Sequence, residues 1–129
     1  MIKTNHGKAY VAFIALSQLR NMVRGQDALR VFHLKGKLKE SAEFMGEEEM
    51  RLVQECGGTV AENGLLVIPD GEKKAAYIAE RKKLDALECE IDAEPVVIPI
   101  DRCPDVTAEQ MEMLDGFVRF TEDDSDGNK

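Results

Sequence analysis

The chain has 129 residues, with 17 Lys and Arg against 25 Asp and Glu, a net charge of −8, 43% hydrophobic residues and no Trp. That length suits one compact domain and argues against two independent ones. The longest apolar run, Ala9 to Leu16, is far shorter than the roughly 20 residues that cross a bilayer, and no leader with a small-residue cleavage site precedes it, so a soluble, unprocessed protein with no membrane contact is expected.

Met1 to His6 reads as a short edge strand. Gly7 to Arg24 then repeats apolar residues at helical spacing, with Ala12, Leu16, Leu19 and Val23 in one stripe and Ser17, Asn21 and Arg24 opposite. Tyr10, Phe13 and Ile14 fall off that stripe. This helix therefore needs either a central position in the fold or a partner to cover its second face. Gly25 is placed to end it in a left-handed conformation, and Asp27 to cap the next helix.

The second helix spans Asp27 to Cys56, keeping Val31, Leu34, Leu38, Ala42, Met45, Leu52, Val53 and Cys56 on one face until Gly57-Gly58 stops it. Thirty residues rise about 45 Å, long for a domain of this size, and Gly36 and Gly46 are points where it could bend. The short connection predicts an antiparallel helix pair. A hairpin follows: Thr59 to Glu62 and Leu65 to Ile68 flank Asn63-Gly64, the pair best suited to a type I′ turn. Pro69-Asp70-Gly71 breaks the second strand, and Asp70 is placed to cap a third helix running to about Glu88, with Ala76, Tyr77, Leu84 and Leu87 on its apolar face and Ile78 off it.

Cys89 to Asp92 and Val96 to Ile100 read as extended chain, with Pro95 and Pro99 favouring a sheet edge. Thr107-Ala108-Glu109-Gln110 has the capping-box pattern of a short last helix, followed by Met111, Leu114, Phe117 and Val118 on one face. The segment Thr121 to Lys129 carries four acids and no apolar residue, so it has nothing to bury against the cost of ordering. The expected architecture is α+β: an antiparallel helix pair with a long second helix, packed on a small, mainly antiparallel sheet, and a short C-terminal helix. Residues 1–120 form that domain, and 121–129 an acidic disordered tail.

The charge is polarised. Residues 1–40 hold 8 Lys and Arg against 2 Asp and Glu, while residues 41–129 hold 9 against 23. An acidic protein repels a phosphate backbone at long range, so the two regions are expected to complement each other, within a monomer or between subunits, and no nucleic-acid partner is expected. Arg24, Arg30, Lys35, Lys37 and Lys39 could line a phosphate face, but Phe13 and Phe32 are expected to pack rather than stack on bases.

Catalytic groups are sparse. Cys56, Cys89 and Cys103 are odd in number and far apart, which suggests neither a disulfide framework nor a zinc site and fits a reducing cytoplasm. His6 reads as a turn residue and His33 as a solvated helix residue. Cys56 and Cys89 follow apolar patterns, and Cys103, beside Arg102, reads as the most exposed thiol, with a pKa its neighbour could lower. Glu47-Glu48-Glu49 reads as a solvated face, since a helix radiates consecutive side chains outward. Asp123 to Gly127 has the look of a calcium loop without the closing Glu. No P-loop, dinucleotide fingerprint or nucleophile elbow is present, so no catalytic residue, metal or cofactor is assigned.

Several features taken together resemble a family of small phage and prophage proteins of uncharacterised role. They are the early Ala15-Leu16-Ser17-Gln18-Leu19 helix, the long charged helix ending in a glycine pair, the Asn63-Gly64 hairpin, the run Leu87-Glu88-Cys89-Glu90-Ile91, and Val106-Thr107-Ala108-Glu109-Gln110-Met111 through Leu114. Ala108 stands where that family has Pro. The resemblance implies an accessory or structural phage protein and carries over no catalytic residue. Three function classes follow, in order of expectation: a non-catalytic interaction or assembly protein; an acidic regulator that binds a basic protein surface; and a small hydrolase or nuclease whose groups converge from separate elements. The expected interaction surface is Tyr10, Phe13 and Ile14 with Arg30 and Lys37, and the expected partner is a protein or a second copy in a homodimer.

Overall fold

The computed structural model describes residues 1–122. In chain order its elements are β1 (Ile2–Asn5), α1 (His6–Leu19), α2 (Gly25–Glu55), β2 (Thr59–Val60), β3 (Leu66–Val67), α3 (Glu72–Ala86), β4 (Glu88–Ile91), β5 (Val96–Pro99), a 3-10 turn (Ile100–Arg102), α4 (Ala108–Met113) and β6 (Val118–Thr121). This is the expected mixed α+β arrangement with one long helix. None of these helices is long and apolar enough to cross a membrane.

The strands form three separate two-stranded ladders rather than one sheet. β1 pairs antiparallel with β4, from Ile2 opposite Ile91 to Asn5 opposite Glu88. β2 and β3 make the expected hairpin. β5 pairs with β6 in parallel, Val96 opposite Val118 through Pro99 opposite Thr121, across a connection that contains α4. A parallel strand-helix-strand unit was not expected from the sequence. Phe117 and Val118 had continued the apolar periodicity of α4, but the helix stops at Met113, and Gly116, at φ 87°, turns the chain into β6. Thr121 is therefore a strand residue and not part of a tail. The rest of the expected tail beyond Glu122, with its calcium-like sequence, lies outside the described residues.

The helix pair is antiparallel. Five residues separate α1 from α2, while His6 at the start of α1 touches Ser41, the seventeenth residue of α2. Asn5 caps α1 by accepting from the Lys8 amide at 2.8 Å. The helix ends at Leu19 rather than Arg24, because the chain needs Arg20 to Arg24 to reverse direction. Gly25, at φ 57°, opens α2 instead of closing α1. α2 then runs 31 residues without interruption at Gly36 or Gly46, about 46 Å, roughly twice the length of α1.

That mismatch produces two cores. The main one joins Leu16, Leu19 and the alanines of α1 to Val31, Leu34 and Leu38 of α2, closed by Ile91, Ile98, Leu114 and Phe117. α2 overhangs it, and the overhang is covered by α3, through a smaller cluster of Met45, Leu52 and Leu84 with Tyr10, Phe44 and Tyr77 around it.

The hairpin turn differs in type from the expected I′. Only Gly64 has positive φ, at 85°, and Asn63 does not. The Gly64 amide donates to Ala61 O at 2.9 Å and the Ala61 amide to Leu65 O at 2.8 Å. This is the three-residue loop in which an ordinary turn precedes one left-handed glycine, so Asn-Gly serves the hairpin with one positive φ instead of two. α3 begins after Gly71 (φ 97°) without a side-chain cap, Asp70 instead pairing with Lys74 at 3.5 Å, and it ends at Ala86 because Glu88 is already paired in β4.

Candidate interaction groove

A hollow of about 520 Å³ lies along the first turns of α1, with the end of α3 on one side and α4 on the other. Its floor includes Gly7, Tyr10 and Val11; α3 contributes Arg81, Lys82 and Asp85, and α4 with the turn after it contributes Glu112, Met113 and Asp115.

Gly7 lets the helices approach. A Cβ there would lie 2.7 Å from Asp85 Cβ and 3.0 Å from its carbonyl oxygen, so α1 and α3 could not come together at this point with any other residue. The His6 amide donates to Leu87 O at 2.9 Å, fixing the same junction. Arg81 holds the α3 wall: its guanidinium pairs with Glu49 of α2 and with Asp85 (3.1 Å), and lies 6.0 Å from the Tyr10 ring centroid, within cation–π range. Glu49 is thus half-buried in an ion pair, which corrects the reading of Glu47 to Glu49 as a wholly solvated face. On the other side Gln110 donates to Gln18 Oε1 at 3.1 Å while Met113 reaches the hollow at Tyr10 and Val11, so α4 runs back along α1. Along this face α1 leaves a strip uncovered: Val11 in the hollow and Ile14 just beyond it, one turn apart, are each 38% exposed.

The surface expected from the sequence is divided by this architecture. Tyr10 is half-buried in the smaller core and lines the groove; Ile14 is exposed just beyond it. Phe13 packs on the main core with Lys35 Nζ 5.3 Å from its ring centroid. Arg30 and Lys37 lie apart on α2, Arg30 3.8 Å from Asp27 and Lys37 3.9 Å from Asp92. Phe32, expected to pack, is 69% exposed. Glu112, Asp115 and Gly7 were missed. The signal that could have found the groove was the second α1 stripe, Gly7, Val11, Ile14 and Gln18, at spacings of four, three and four.

Two polar clusters lie elsewhere. His6 heads α1 rather than sitting in a turn, and its Nδ1 is 2.6 Å from Ser41 Oγ, with its ring 4.8 Å from that of Phe44. Cys89 of β4 hydrogen-bonds with the same serine, and burial pushes its thiol pKa up. Three residues from distant parts of the chain therefore meet beside a hollow of about 300 Å³. Ser41 is buried, so this contact satisfies a hydroxyl that helix packing removes from water, and the thiol is held protonated, which disfavours nucleophilic chemistry. The second cluster corrects Asp27 from cap to buried anchor. Its carboxylate is 6% exposed and accepts from Arg102 Nε at 2.9 Å, tying α2 to the 3-10 turn. Cys103, next in sequence, is fully buried rather than the most exposed thiol. Burial, with Asp105 and Asp27 behind it, raises its pKa, while Arg102 is directed to Asp27.

Among the described residues no group of three His, Cys, Asp or Glu side chains is arranged to hold a metal ion. No protein-family model, curated protein or solved structure matches this chain.

Proposed function

We propose that this protein is a non-catalytic interaction protein, of the accessory or structural kind that its phage-like sequence features imply. It works in the cytoplasm, that of the host cell if phage-encoded, by binding protein through the α1 groove, with self-association at micromolar concentration as the first form of that binding. The observation that carries the reading is the uncovered apolar strip of α1, with Val11 between two charged walls and Ile14 exposed just beyond them. The test is sedimentation across micromolar to millimolar concentration at low salt. The wild type should associate, and a Val11→Lys, Ile14→Lys double variant should not, with its unfolding midpoint nearly unchanged because both side chains are already partly in water. A wild type that stays monomeric throughout would overturn the reading.

An acidic regulator is the second reading, favoured by the net charge of −8 and by Glu112 and Asp115 on the α4 wall. It requires that a Glu112→Gln, Asp115→Gln variant lose affinity for a basic protein target and lose the salt dependence of that binding. Unchanged affinity would remove it.

A further inference from the structure

We infer that the occupant of the α1 groove is a second copy of this chain, seated about a two-fold axis through the Val11–Ile14 strip. The inference rests on the groove being a self-associating surface and adds the orientation of the two copies and the charges that set it.

The two walls carry opposite unpaired charge, and Lys8 of α1 adds an exposed cation to the same hollow. Lys82 stands exposed on α3, and Glu112 and Asp115 stand exposed at α4, all lining the same hollow. Among the described residues none of the three has an ion-pair partner, whereas Arg81 beside Lys82 is already engaged by Glu49 and Asp85. A uniformly basic partner would meet Lys82 and a uniformly acidic one would meet Glu112 and Asp115, so the groove fits a partner whose own charge is divided.

A two-fold axis supplies that division from the chain itself. Rotation by half a turn about an axis that lies in the plane of the interface and runs parallel to α1 turns one protomer over onto the other, so that the α3 wall of each faces the α4 wall of its partner. Each Lys82 then faces the partner's Glu112 and the partner's Asp115, twice over, and the two strips of Val11 and Ile14 meet at the centre. Such an interface needs no second surface, closes on itself at two copies, and places its apolar contacts where water is excluded and its charges at the rim, where they set orientation.

The test uses charge reversal and mixing. Lys82→Glu alone, and Glu112→Lys with Asp115→Lys, each put like charges across both halves of the interface, so each variant by itself should self-associate at least about tenfold more weakly than wild type. Mixed in equal amounts, the two variants restore opposite charges at both halves. Native mass spectrometry should then find a heterodimer and no homodimer, with affinity back to within a few-fold of wild type. Recovery on mixing cannot come from a misfolded variant. If either variant associates like wild type, or if mixing restores nothing, this interface is wrong even where the wild type self-associates. If the wild type itself is monomeric at every concentration and low salt, the reading of the groove as a self-associating surface falls with it.

Discussion

The two ends of α2 sit in different environments. Among the described residues, its first half joins a core of seventeen buried residues that draws on β1, α1, β4, β5, the turn after α4 and β6, while beyond Ala42 Met45 and Leu52 belong to a cluster of three, covered on one side by α3. α3 buries a single residue of its own, Leu84. A helix that continues past its partner keeps its hydrogen bonds but loses burial, so the same periodic sequence is expected to open more readily at one end than at the other.

The largest expected effects compare the two cores directly. Leu16→Ala should cost about 2–5 kcal/mol, since Leu16 is fully buried among rigid neighbours, and Leu84→Ala should fall at the low end of that range because α3 can settle into the space. Denaturant unfolding of both variants, with amide exchange along α2, checks this. Equal costs and uniform exchange would mean that the cores behave as one.

Gly7→Ala attacks the junction between them. Helix propensity favours Ala by up to about 1 kcal/mol, but the new Cβ meets Asp85 backbone atoms, so a net loss of about 1–2 kcal/mol is expected, with faster exchange in α3 than in α2 before Ala42. Arg102→Met tests an anchor of the main core. It leaves the Asp27 carboxylate buried with Arg30 at 3.8 Å, and because Arg102 is itself 44% exposed the cost should be about 1–2 kcal/mol rather than that of a fully buried pair. A thermal melt in low and high salt reads it, with a small salt response expected.

The smallest effect is alkaline. The Cys103 thiol has its pKa raised from the ordinary 9.0 by burial in the folded chain. The folded form therefore retains a proton that the unfolded chain releases, so this contribution to stability is intact below pH 9 and is lost as pH rises through the raised value. Cys103→Ala should lower stability at neutral pH and flatten its decline above that point. Thiol labelling of the native protein should reach half-buried Cys89 before Cys103 or Cys56, the two buried thiols.

Local rules were legible wherever a single element sufficed. The α2 stripe, the capping box at Thr107, where Gln110 and Thr107 bond reciprocally at 3.0 and 3.1 Å, and the hairpin at Gly64 all follow from spacing and residue type. Errors collected where the decisive partner was distant in sequence. Asp27 has the composition of a cap, and only Arg102, seventy-five residues away, makes it a buried anchor. Cys103 looks exposed beside Arg102 and Pro104 until the main core closes over it. Of the interaction surface, the displaced apolar residues of α1 were visible, but not that α3 would cover Tyr10 and leave Val11 and Ile14 open.

By itself, then, the sequence determined the helix pair, its unequal lengths, the existence of the hairpin and the surplus of apolar surface on α1, because periodicity and turn chemistry act over a few residues. Tertiary structure alone decided that β5 and β6 pair in parallel, that His6, Ser41 and Cys89 meet, and that unpaired Lys82 on one side and Glu112 and Asp115 on the other flank α1. Such pairings depend on which distant segments exclude water from each other, and that choice is made by the packing of the whole chain.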